Sequence, residues 1–189
     1  AGVQGLLISQ VNSSIDGHLS IESVDFSILG SAVLRNVVLF DRSGAQVAAS
    51  DEIRINYRLG DLLRGKFGMD SIRTVTLEKA NLKLTVDKKG RWSLQELIKP
   101  QSGEKAIFTG IIRVRDGVVD VITMDWSRKF VSLSGEIDFA DRPAVAVDVA
   151  GKMDKSSLAA KGAWISDGKT QLALNIDQLD LVDGQSLLP

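Results

Sequence analysis

Apolar residues recur at every second position through long stretches of this chain. The clearest run passes through Val75 and Leu77 and then Leu82, Leu84 and Val86, with charged or polar residues filling the gaps. Period-two alternation of this kind is the signature of a strand with one dry face. It returns in Val131, Leu133, Ile137 and Phe139, in Val145, Val147 and Val149, and in Leu172, Leu174 and Ile176. Between the runs stand turn formers: Leu29-Gly30-Ser31, Asp41-Arg42-Ser43-Gly44, Asp87-Lys88-Lys89-Gly90, Asp116-Gly117, Asp141-Arg142-Pro143, Asp154-Lys155 and Asp167-Gly168-Lys169. The pattern predicts strands at Val33 to Phe40, Val47 to Ala49, Ile53 to Leu59, Ala106 to Arg115 and Val118 to Asp125. Further strands are predicted at Phe130 to Phe139, Ala144 to Met153, Ser157 to Ile165 and Thr170 to Leu181. Asp116-Gly117 and Asp167-Gly168-Lys169 read as tight hairpin turns.

Helical signals are few. Val3, Leu7, Val11 and Ile15 repeat every fourth residue and predict an amphipathic N-terminal helix that ends at Asp16-Gly17. Its polar face lacks the Lys and Arg of helices that lie on membranes, so it suits a cap over the end of the sheet. Asp61 to Arg64 predicts one helical turn capped by Asp61 and ended by Gly65, and Ser93 to Ile98 a second short helix opened by Trp92. Pro100 to Lys105 reads as a loop.

These elements define a mainly β chain, a curved antiparallel β-meander with an N-terminal amphipathic helix and one or two short helices. Three segments follow: residues 1–16 as the capping helix, 17–100 as a β module with short helices, and 101–189 as a meander that continues the same sheet. Short connections make sequence neighbours antiparallel neighbours in space. A sheet with one apolar face must bury that face, and so little helix cannot cover it. The face closes on itself, curls over a short helix, or stays open as a groove for an apolar ligand.

Composition supports a real core, with 44% hydrophobic residues in 189. Lys plus Arg number 23 against 24 Asp plus Glu, a formal net charge of −1 that supplies no general attraction for nucleic acid. Basic residues do gather locally, at Arg54, Arg58, Arg64, Lys66, Arg73, Lys79, Lys83, Lys88, Lys89 and Arg91. The plain reading is the solvated face and rims of a sheet; the sharper one is contact with acidic lipid headgroups or an acidic partner. No run of about 18 apolar residues marks a transmembrane helix.

Candidate chemistry is sparse. Cysteine is absent and His18 is the one histidine, so neither thiolate catalysis nor an HExxH metal site can be written. No serine sits in GxSxG, and Ser134-Gly135 falls inside a predicted strand, where a nucleophile elbow does not form. No GxGxxG or GxxxxGK[ST] precedes a helix. The aspartates mostly flank turns. The reading is a protein that is not an enzyme, with no catalytic residue, metal or cofactor.

The stretch from Val11 to Lys66, followed by Ser71 to Pro100, resembles the amino-terminal region of AsmA-like and TamB-like envelope proteins. The resemblance rests on the helix ending in Asp16-Gly17, the Leu34-Arg35-Asn36-Val37 strand and the Asp41 to Gly44 turn. The Leu62-Leu63-Arg64-Gly65 turn, the Asp87 to Leu94 stretch and Ile112 to Val121 complete it. It covers about residues 5–125.

The resemblance implies a repeating, taco-shaped β-groove in the periplasm of a two-membrane bacterium. It also implies an inner-membrane anchor in a segment absent here, so that the chain is a piece of a longer protein. The function implied is a lipid conduit supporting phospholipid transport between the membranes and outer-membrane integrity. Acyl chains would lie on Val131, Leu133, Ile137, Val145, Val147, Val149, Leu172, Leu174 and Ile176. The alternative is a scaffold that assists outer-membrane protein assembly by adding a strand to a barrel partner.

Overall fold

The computed structural model describes residues 17–27, 29–66, 68–86, 93, 108–141, 144–165 and 170–177. One ten-stranded sheet holds β1 (Gly17–Ser27), β2 (Ser31–Asp41), β3 (Gln46–Tyr57), β4 (Ile72–Glu78) and β5 (Asn81–Thr85). It continues with β6 (Ile111–Ile122), β7 (Ser127–Asp138), β8 (Ala144–Met153), β9 (Ser156–Ile165) and β10 (Thr170–Asp177). The order across it is β1-β2-β3-β4-β6-β7-β8-β9-β10, with β5 paired to β3 and β6. The sheet is curved. A short helix α1 (Leu59–Leu63) and a 3-10 turn (Met69–Ser71) connect β3 to β4. The predicted N-terminal helix, all of the Ser93 to Ile98 helix except Ser93, and the Pro100 to Lys105 loop lie outside the described residues.

From β6 to β10 the strands form the expected antiparallel meander. The first half departs from it, because β4 and β5 both run parallel to β6. They follow one another along the same two neighbours and make one strand broken at Lys79-Ala80. A parallel neighbour requires a crossover of about a dozen residues or more, and the chain between Thr85 and Ile111 supplies that length.

Three expectations are corrected. Asp116-Gly117 is not a hairpin, since β6 runs through it and pairs with β7 on both sides, with register shifts around Gly117. The left-handed Asp116 (φ 51°) makes a bulge where a turn was read. The hairpin comes later, where Thr123 Oγ1 accepts from the Trp126 amide at 3.0 Å and the Thr123 amide donates to the Trp126 carbonyl at 2.9 Å. Val47 to Ala49 and Ile53 to Tyr57 are parts of the single strand β3, and Leu59, read as the end of the second strand, opens α1 instead. Asp61 is inside α1 rather than its cap: its carboxylate accepts the Ser71 hydroxyl at 3.0 Å and pairs with Arg58 at 3.0 Å.

The Asp41 to Gly44 turn forms as read. Asp41 Oδ1 accepts from the Ser43 hydroxyl (2.6 Å), the Ser43 amide (2.8 Å) and the Ala45 amide (3.0 Å), and Gly44 takes φ 84°. These bonds favour the ionised carboxylate, the Ser43 hydroxyl most, and hold its pKa below the ordinary 3.8. A depressed folded-state pKa stabilises above the unfolded value and is lost as pH falls through the folded one. Asp41→Asn should therefore melt below the wild type at neutral pH, with the gap narrowing below about pH 3.8; thermal melts across that range are the check, and a pH-independent gap contradicts it.

A hydrophobic cluster lies on β1 to β3. Ala32, Leu34, Val37 and Tyr57 are buried together, with Leu19, Ile21, Val24, Ile53 and Ile55 packed against them. Cross-strand pairing carries this apolar face along the sheet. One row of paired positions reads Val24, Leu34, Ile53, Leu77, Val114, Gly135, Val149 and Ala160. The opposite face is polar, its row running Arg54, Thr76, Arg113, Glu136, Asp148 and Lys161. Ion pairs join neighbours there, Arg113 to Glu136 at 2.6 Å and Lys161 to Asp148 at 2.7 Å. With exposed side chains such pairs add little stability and chiefly keep that face wet.

A crease crosses the strands. Asn36, Lys79, Asp116 and Ser132 all take left-handed φ, between 48° and 52°. In each strand two residues separate apolar positions that would otherwise be separated by one: Arg35-Asn36 lies between Leu34 and Val37, Glu78-Lys79 between Leu77 and Ala80, and Arg115-Asp116 between Val114 and Gly117. Because β1 to β5 share the irregularity in step, Leu34↔Ile53 and Val37↔Ser50 keep one register. Polar groups meet along the line: Asn36 donates to Glu22, Lys79 faces Asp51 at 3.7 Å, and the Asp116 amide donates to Ser134 Oγ at 3.2 Å. Bulges bend a strand and raise its twist, so an aligned row of them bends the sheet across its width.

Candidate functional site: an apolar trough across the crease

The crease positions an open apolar trough of about 260 Å³. Ile53, Leu77 and Val114 line it from one side of the crease, and Val37, Leu39, Leu82 and Val119 from the other. The aligned bulges put both sets on one face; strict alternation would have sent the second set to the opposite side. Small residues occupy its middle, namely Ala48, Ser50, Ala80 and Gly117. A Cβ at Gly117 would come within 2.8 Å of Val114 Cγ1, so any larger residue there intrudes on the lining.

Among the described residues no charged side chain lines the trough. Ser50, buried in it, directs its hydroxyl at the carbonyl oxygens of Glu52 (3.0 Å) and Glu78 (2.9 Å), so its polar group serves the sheet and not a ligand. A second depression of about 320 Å³ lies on the opposite face, where Ser132, Ser134, Lys152, Ser157 and Asn175 set polar side chains among Ala150, Leu158 and Ala159. The trough is the feature suited to an apolar ligand, with burial worth roughly 25 cal/mol per Å² of apolar surface removed from water. Among the described residues no group of His, Asp and Glu side chains gathers as a metal site.

Of the residues named from sequence, Leu133 lines the trough. Ile137 pairs with Ile112 and Val147, Val149 pairs with Gly135 and Ala160, and Val145 is buried. Leu172, Leu174 and Ile176 pair with Gly162, Ala160 and Leu158; their side chains lie outside the described residues. Val131 is corrected. A bulge at Ser132-Leu133 pairs Val131 with Lys152 on the polar face, and Phe130 takes its place beside Met153. Sequence reasoning missed most of the trough, because β2 to β6 supply it. The available signal was the switch of apolar parity within single strands, Leu34 to Val37, Leu77 to Leu82 and Val114 to Val119.

His18 stacks on Phe40 with centroids 4.6 Å apart, a contact between paired positions of β1 and β2. Comparison with family models, curated proteins and solved structures gives no match to this chain.

Proposed function

We propose that this chain is a non-enzymatic lipid-conduit module: a taco-like β-groove, periplasmic in a two-membrane bacterium, that holds phospholipid acyl chains along its apolar face. In that role it supports phospholipid movement between the inner and outer membranes. The observation that carries the reading is the trough, open to solvent, free of charged lining and continuous with apolar rows that run across the strands. An acyl chain gains by leaving water, and neighbouring apolar positions offer similar free energies, so it can slide without a large barrier. The compartment and the membrane route come from the resemblance to AsmA-like and TamB-like proteins.

The test is native mass spectrometry with lipid extraction on protein purified from bacterial cells without detergent. Phospholipid should co-purify at defined stoichiometry and be lost from Leu82→Asp and Val119→Asp, which place a carboxylate in the trough while the protein still folds. A lipid-free wild-type mass would sink the proposal. It would leave strand addition at the β1 edge, which pairs on its other side with β2, as the reading to pursue.

A further inference from the structure

We propose that the end of the sheet built from the β1–β2 turn and the β3–β4 connection docks on an anionic lipid bilayer, with Leu29 and Leu63 inserted among the lipids. This stands apart from the acyl-chain reading, since it concerns the rim of the sheet and not its apolar trough. The two most exposed large apolar side chains among the described residues are at this end, Leu29 (86%) and Leu63 (78%), with Met69 (53%) and Phe26 (42%) near them, whereas Met124 (63%) and Trp126 (37%) lie at the β6–β7 hairpin at the opposite end of the strands.

The two connections are neighbours. The Tyr57 amide donates to the Gly30 carbonyl at 2.9 Å, and a Cβ on Gly30 would lie 3.6 Å from Leu59 Cβ, on the helix that ends at Leu63. The presentation is also fixed in advance. The Arg58 amide donates to the Ser71 carbonyl at 2.8 Å, the Lys66 amide to the Asp61 carbonyl at 2.9 Å, and Ser71 Oγ to Asp61. A held turn has less conformational entropy left to lose on docking.

Charge identifies the partner. Arg58 sits between Asp61 (3.0 Å) and Asp70 (3.7 Å), one cation against two carboxylates, so the net positive surplus at this end rests on Arg64, Lys66 and Arg73, all exposed. Basic groups between exposed leucines match a layer of anionic headgroups over acyl chains, with the long basic stems lying along apolar surface and their charges in water. The apolar side chains stand on separate tips with Arg64 and Lys66 between Leu63 and Met69. A fluid bilayer accommodates separate tips, whereas a protein partner would favour a continuous apolar patch.

The experiment is co-sedimentation with vesicles of phosphatidylcholine alone and of phosphatidylcholine mixed with phosphatidylglycerol, at low and high salt. The protein should pellet with the anionic vesicles and less so at high salt. Leu29→Glu combined with Leu63→Glu should weaken binding by about tenfold or more, and Arg64→Glu combined with Lys66→Glu should remove the preference for anionic vesicles. Leu82→Asp, in the trough, should bind as the wild type. Should the leucine pair fail to fold, the exposed Arg64 and Lys66 pair decides. The proposal is overturned if the wild type does not pellet, if both double variants pellet like it, or if Leu82→Asp alone abolishes binding. It is also overturned if this end instead drives concentration-dependent dimerisation without vesicle binding.

Discussion

Leu34→Ala should lower the free energy of unfolding by about 2–3 kcal/mol, read from the midpoint and slope of a urea titration. Leu34 is 6% exposed at the centre of the cluster with Ala32, Val37 and Tyr57, and its cross-strand partners are Val24 and Ile53. Deleting a buried leucine side chain costs about 2–5 kcal/mol, the loss rising with the cavity that remains. The lower part of that range applies because Leu19, Ile21, Val24, Ile53 and Ile55 are only partly buried and can close in. Leu29→Ala, on an exposed turn, should stay within about 0.5 kcal/mol. A loss below about 1 kcal/mol at Leu34 would mean that the cluster on β1 to β3 is not what holds the sheet.

How much of this was legible in the sequence depended on the regularity of each strand. Between Val145 and Met153 nothing interrupts the alternation of β8, and its predicted bounds, Ala144 to Met153, are those observed. The Asp41 turn was legible because its geometry is local, closed by side-chain bonds within a few residues. Asp116-Gly117 was not, since a left-handed residue serves a turn or a bulge equally well and only the partner strand decides. Val131 failed for the same reason, through the bulge at Ser132.

The trough is the larger lesson. Its lining comes from β2 to β6, brought together by a parallel crossover and by bulges in step across several strands. Neither is local in sequence. Parity reversals such as Leu77 to Leu82 are visible in the sequence, yet one reversal alone reads as a strand break; their alignment across strands, set by pairing, turns them into a bend. The polar row from Arg54 to Lys161 bears this out from the other side, since it stays in register while the sheet curves beneath it.

Gly135→Val should destabilise the protein by about 3 kcal/mol and act first on the β7–β8 ladder. Gly135 sits in the apolar row between Val114 and Val149, where a larger residue would seem welcome. Its φ of 154° decides otherwise: a Cβ there would lie 2.1 Å from the Asp148 carbonyl oxygen and 2.6 Å from Val149 Cα. Those are backbone atoms, so no rotamer change relieves the overlap and the strands must part. Amides of β8 should lose hydrogen-exchange protection while those of β2 and β3 keep theirs. Gly60→Ala is the control, for none of the described residues lies within 4 Å of the added Cβ and α1 accepts alanine more readily than glycine. Because β8 to β10 join the rest of the sheet through β7, the same variant should interrupt the apolar rows between Val114 and Val149. Equal protection of β8 in variant and wild type would show that the sheet yields at Gly135 and that the close approach does not fix the β7–β8 pairing.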